Sequence, residues 1–263
     1  MNARARFPPS GSIRAMAEDP HPREIAAAWQ PQRPGRRGAK EIPDAIVEPD
    51  WGGMRVVAAL TEDEAGLYRG GGEVAVPDEL LRALLDMFSA VDAVIEGHIT
   101  TTALRSSEGA YPTMQKVERP PILVPRALRK DVKDDPFVRA RDYEAAADRL
   151  EPAVREALER GERHAFVATD LLWLDGQSLL DVPLLERRRI LEGVLDEAYL
   201  VRRSAIVRPS AVLTLVTWGA LGFRDLSYRA ANSRYLAGQE NPDWAITRAP
   251  DVPHGVPKPV APR

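Results

Sequence analysis

The chain has 263 residues, of which 44% are hydrophobic and 29% charged, with a net charge of −3 and no cysteine. These proportions fit a globular chain of one large domain or two small ones, exclude disulfides and thiolate metal sites, and include no apolar run of membrane-spanning length. Residues 1–30 lack the apolar segment of a secretory signal, so a cytoplasmic location with no membrane partner is the expectation.

Residues 1–40 are rich in Pro, Gly and Arg and show no sustained periodicity. Arg4, Arg6, Arg14, Arg23, Arg33, Arg36, Arg37 and Lys40 stand there against Glu18, Asp19 and Glu24. Proline lacks a donor and fixes φ, so the segment reads as a disordered basic arm. Such an arm on an acidic body can contact DNA, or it can be a solvated leader. The folded body is expected over 41–248, followed by a disordered Pro-rich tail at 249–263.

Within the body, "RVVAAL" (55–60) and "AVIEGHI" (93–99) are β-rich, and "GGG" (70–72) reads as a hairpin turn. "PDELLRALLDMF" (77–88) has helical apolar spacing opened by Pro77-Asp78. "YEAAADRLEPAVREALERG" (143–161) is a second helix, with Pro152 a candidate start of a new segment. "HAFVATDLLWLDG" (164–176) is a strand ending in an Asp-Gly turn, and "PLLERRRILEGVL" (183–195) is a helix with proline at its first position. Its "RRR" (187–189) reads as a solvated face. "DWAITR" (243–248) closes the body as a strand. Strands with interspersed helices and no regular βαβ alternation give an α+β class.

The stretch "FVATDLLWLDGQSLLDVPLLERRRILEGVL" (166–195) resembles the strand–turn–helix of the ATP-dependent DNA ligases, in particular the bacterial end-joining type. The resemblance extends over about 45–248, through "EPDWGGMR" (48–55), "VIEGHI" (94–99) and "LGFRDLSYRAANSRYLAGQENPDWAITR" (221–248). It implies the adenylation (nucleotidyltransferase) domain, with two antiparallel sheets flanked by helices around a central groove. The oligonucleotide-binding (OB) domain that follows in that family is expected to be absent.

The family's chemistry needs a lysine that attacks the α-phosphate of ATP, expelling pyrophosphate and forming lysyl-AMP, with carboxylates holding a divalent metal. Carried over residue by residue, the resemblance puts Asp50 at the nucleophilic lysine and Gly52 at the aspartate of the same motif. Gly70 stands at an arginine, His98 at the metal-binding glutamate, and Thr169 at the aromatic that stacks on adenine. Arg224 stands at the fourth motif's glutamate and Arg229 at its lysine, while Ile246 and Arg248 replace the last motif's two lysines. Glu48 and Arg55 keep the nucleophile motif's flanks. Gly53, Asp170, Asp175, Gly176, Pro183, Leu184, Leu185, Glu186, Tyr235, Gly238, Asp243 and Trp244 keep its frame. The five lysines, Lys40, Lys116, Lys130, Lys133 and Lys258, have no nucleophile-motif context.

A carboxylate at position 50 repels polyphosphate, so the expected function is a catalytically inactive ligase-like protein with a binding or scaffold role near DNA repair. Its partner would be DNA through the basic arm, or a protein. No catalytic residue, metal or cofactor of its own is expected; ATP and Mg enter only if the chain is a working ligase. A groove repurposed for an unrelated small ligand is the third reading. His98 reads as a hydrogen-bonded strand residue and not a ligand, and Trp173 and Trp244 as framework. Because a lone buried carboxylate is costly, Asp50 is expected to pair with Arg224 or Arg248.

Overall fold

The β-rich segments pair into one large sheet. In the computed structural model, which describes residues 20–101, 103, 136–221 and 223–250, β3 (Met54–Thr61) lies antiparallel between β4 (Ala65–Arg69) and β6 (Asp92–Thr100). β6 pairs with β7 (Ala165–Leu174), and the short β5 (Gly72–Glu73) and β8 (Gln177–Ser178) extend the edges as hairpins. The order is β5-β4-β3-β6-β7-β8, and β9 (Val201–Arg203) adds a parallel partner to β7. A smaller antiparallel sheet runs β12-β10-β2, from β2 (Ala45–Pro49), β10 (Asp225–Ala230) and β12 (Trp244–Arg248). A separate two-stranded ribbon pairs β1 (Arg33–Pro34) parallel with β11 (Glu240–Asn241).

β3 is buried on both faces, which explains its unbroken apolar run. Met54, Val56, Ala58 and Leu60 join Ile95, Phe166 and Leu171 in the main core. That core is covered by Leu80 and Leu84 of α2 (Asp78–Met87), Leu191 of α4 (Leu184–Val194) and Leu158 of α3 (Pro136–Glu159). On the opposite face, Val57, Ala59 and Val94 pack against Ala26 and Trp29, with Tyr235 alongside. The small sheet has its own cluster, where Val47 and Leu226 meet Leu215 and Trp218 of α5 (Val212–Ala220).

The arm expected over 1–40 is corrected from residue 20 onward; residues 1–19 lie outside the described residues. Pro22–Ala28 form α1, and a short 3₁₀ helix spans Ala39–Glu41. Seven helical residues are too few to show a period. The attachment comes instead from buried Ala26 and Trp29, and from the Trp29 indole donating to the Tyr235 hydroxyl at 2.8 Å. The arginines of this segment are also occupied: Arg23, Arg36 and Arg37 pair with Glu64, Glu240 and Asp243 at 3.1, 3.3 and 3.0 Å. At the other end, Ala249 is buried against the small sheet's cluster, and the tail from 251 lies outside the described residues. Helix α3 runs through Pro152 without a break.

The turn between β2 and β3 depends on Gly53. Its φ is +73°, and a Cβ there would lie 2.2 Å from the Ile99 carbonyl oxygen. Gly70, in the β4–β5 hairpin, has φ +59° and nothing within 4 Å of such a Cβ. Gly53→Ala is therefore expected to cost at least about 2 kcal/mol from strain and clash together, and Gly70→Ala only about 1–2 kcal/mol from conformation alone. Urea unfolding of the two variants checks this; equal losses would contradict the close approach at Gly53.

Candidate functional site

Register decides which side chains share the space between the two sheets. In the small sheet, Ser227 stands opposite Glu48 and Ile246, and Arg229 opposite Trp244. Directly opposed residues project to one face. In the large sheet, Arg55 stands opposite His98 and Glu96 opposite Asp170, next to register shifts between β6 and β7. Bulges of this kind re-aim side chains beside sites. Around the cleft between the sheets, Glu48 and Thr169 engage Arg229, Ile246 shares a sheet face with Glu48, and Arg55 and His98 line one cavity.

At the closed end of that cleft lies a buried lattice of ions. Arg229 pairs with Glu48 and Asp170 and donates to the Thr169 carbonyl at 3.0 Å. Asp170, with no solvent exposure, accepts both Nε and Nη2 of Arg187 at 2.7 and 2.8 Å, a bidentate fork. Arg188 donates to the Thr169 carbonyl at 2.5 Å and to the Ser204 carbonyl, and lies 3.6 Å from Glu48. The solvated reading of "RRR" is therefore wrong for Arg187 and Arg188 and holds only for exposed Arg189. The buried stripe Leu184, Arg187, Arg188 and Leu191 has core-facing helical spacing, and carboxylates on β2 and β7 make arginine acceptable in it. This spacing was the sequence signal that could have found them.

Arg55 closes the side of the cleft. It pairs with Glu96, donates to the Gln32 carbonyl at 2.8 Å, and lies 5.8 and 5.1 Å from the rings of Trp29 and Trp244. Arg229 lies 5.9 Å from the Trp244 ring. Trp244 is buried framework, as expected, but its ring also faces two cations. Burial alone would lower the Arg55 pKa; Glu96 and the phenols of Tyr235 and Tyr143 outweigh it and raise it. Burial, then the Glu96 carboxylate, pushes the Tyr235 phenol well above its ordinary value.

The open end is a cavity of about 270 Å³ lined by Asp50, Gly52, Gly53, Arg55, Arg69 and His98 from the sheets and by Tyr143, Glu144, Ala147, Asp148 and Leu150 from α3. His98 Nδ1 lies 3.0 Å from the Gly52 carbonyl oxygen. A carbonyl only accepts, so the neutral ring carries its proton on Nδ1, and Nε2 remains an acceptor. Burial lowers the His98 pKa, with Asp50 pulling the other way. Among the described residues no group of His, Cys, Asp or Glu has the arrangement of a metal site.

The expected pairing of Asp50 with Arg224 or Arg248 is not found among the ion pairs of the described residues. The Asp50 carboxylate accepts the Gly52 N–H at 3.1 Å, and its own N–H donates to the Asp225 carbonyl at 3.0 Å. Arg248 stands opposite Asp225 on the far side of β10, two strand spacings or about 9.5 Å from Asp50. Arg224 lies just before β10, and its carbonyl accepts the Ala249 N–H at 2.9 Å. Gly70 lies in an exposed hairpin turn outside the cleft. Of the lysines, Lys40 sits in the 3₁₀ helix, and Lys116, Lys130, Lys133 and Lys258 lie outside the described residues.

The same architecture occurs in known structures. The ligase domain of LigD from M. tuberculosis superimposes with a TM-score of 0.53 at 17% identity, covering 84% of this chain and 59% of that one. A mycobacterial DNA ligase D complexed with ATP and MES gives 0.53 at 16% identity, covering 84% and 60%. The chain spans about three fifths of the length of these structures. No protein-family model matches the chain, and no curated protein matches it significantly. The fold is that of the nucleotidyltransferase domains of ATP-dependent DNA ligases.

The buried Asp170–Arg187 fork carries a stability prediction. Burial raises the Asp170 pKa, but Arg187, Arg229 and Arg188 together hold it below its ordinary value. A carboxylate with a depressed folded pKa contributes stability above its unfolded pKa of about 3.9, and that contribution is lost as pH falls through the folded value. Asp170→Asn should therefore cost about 3–5 kcal/mol at neutral pH, with the difference from wild type shrinking below about pH 4. Urea unfolding across pH checks this; a loss under about 1 kcal/mol at pH 7 would contradict the pairing.

Proposed function

We propose that this chain is a DNA ligase-like protein that does not form lysyl-AMP, and that its role is binding in a DNA-linked setting. The observation that supports this reading most is Asp50 at the nucleophile position, beside Gly52 and His98 at the carboxylate positions of the motifs. The amine nucleophile, the aspartate of its motif and the metal-binding glutamate are all replaced, so the covalent route and the metal clamp are lost together. At the closed end, Thr169 and Glu48 already engage Arg229.

Incubation with labelled ATP and a divalent metal, followed by denaturing separation, tests the reading. No covalent label is the expected result; label mapping to any of the five lysines would overturn it. Asp50→Lys alone should also remain unlabelled, because Gly52, His98 and Arg224 persist.

A cleft repurposed for a small ligand is the second reading, favoured by the cavity of about 270 Å³ with neutral His98 and paired Arg55 and Arg69 on its wall. Salt-dependent DNA binding separates the first role from the second. The arginines Arg23, Arg36 and Arg37 are engaged with the body, so they give the basic arm little support as the contact surface.

A further inference from the structure

Helix α3 is attached differently on the two sides of Pro152. Beyond the proline, Ala157 and Leu158 are buried, and Leu158 belongs to the main core with Val154 packed against it. Before it, Tyr143, Glu144, Ala147, Asp148 and Leu150 face the cleft cavity. Ala146 is the buried apolar residue on this half, and ion pairs line its cavity side. Glu144 lies 3.7 Å from Arg33, Asp148 lies 3.6 Å from Arg69, Glu151 pairs with Arg69, and the Tyr143 ring meets Trp244 edge-on at 6.1 Å. Arg69 is itself fixed, donating to the Arg55 carbonyl at 2.8 Å. Pro152 has no N–H to offer the carbonyl four residues earlier, that of Asp148, and its ring crowds that carbonyl, so the helix is weakest between the two halves.

We propose that residues 143–151 form a cover over the cleft, hinged at Pro152 and latched by the ion pairs of Arg33 and Arg69. The carboxylates of Glu144, Asp148 and Glu151 recur at helical spacings of four and three, which brings them to one stripe facing arginines from β1 and β4. Ion pairs at a rim weaken with salt, whereas apolar anchorage does not. The cover therefore opens by swinging about the proline while Val154, Ala157 and Leu158 stay seated. Access to His98 and Arg55 is set by the latch.

The absence of cysteine makes this directly measurable. Ala147→Cys places a lone thiol on the cavity side of the cover, and Ala168→Cys, in fully buried β7, reports global unfolding. With an uncharged maleimide, the Ala147→Cys reaction should accelerate roughly three- to tenfold between about 0.05 and about 1 M NaCl, while Ala168→Cys stays protected. Adding Arg33→Ala and Glu151→Gln should give the fast rate already at low salt. Pro152→Ala, which restores the missing helix bond, should reduce the salt effect. A rate at Ala147→Cys that ignores both salt and the latch substitutions, or that rises only together with Ala168→Cys, overturns the proposal.

Discussion

The guanidinium of Arg229 joins the two sheets. It projects from β10 of the small sheet, reaches Thr169 and Asp170 on β7 of the large one, and pairs with Glu48 on neighbouring β2. Arg187 and Arg188 bring α4 to the same carboxylates and carbonyls. A buried charge is tolerated only when paired and hydrogen-bonded, so each member of this lattice constrains the others. The spacing of the sheets, the seat of α4 and the shape of the cleft follow from one cluster of ions.

That cluster bears on function because of where it stands. The charged groups on the cleft walls neutralise one another. Arg55 has Glu96, Arg229 has Glu48 and Asp170, and Arg69 has Glu151. A polyphosphate would have to displace protein carboxylates from each arginine it approached, and Asp50 adds a further anion to the cavity wall. What remains open is a modest mixed cavity partly roofed by α3.

Much of the fold was legible because the signals were local. The runs at 55–60, 93–99 and 164–176 became β3, β6 and β7, and the Pro-led helices at 77–88 and 183–195 became α2 and α4. The failures were of a different kind. Composition reads Pro and Arg as disorder, but buried Ala26 and Trp29 and the pairing of β1 with β11 dock residues from 20 onward, and nothing in their periodicity announces it. Arginine reads as solvent-facing until its partners are known, and Asp170 lies seventeen residues before Arg187. The proposed Asp50 pairs failed because motif proximity does not specify strand order: β10 stands between Asp50 and Arg248.

The ions spanning the two sheets act as one unit. A double-mutant cycle with Asp170→Asn and Arg229→Gln, read by urea unfolding at neutral pH, tests it most directly. Coupling of at least about 1.5 kcal/mol between the two substitutions is the predicted result. Losses that add independently, within about 0.5 kcal/mol, would contradict it.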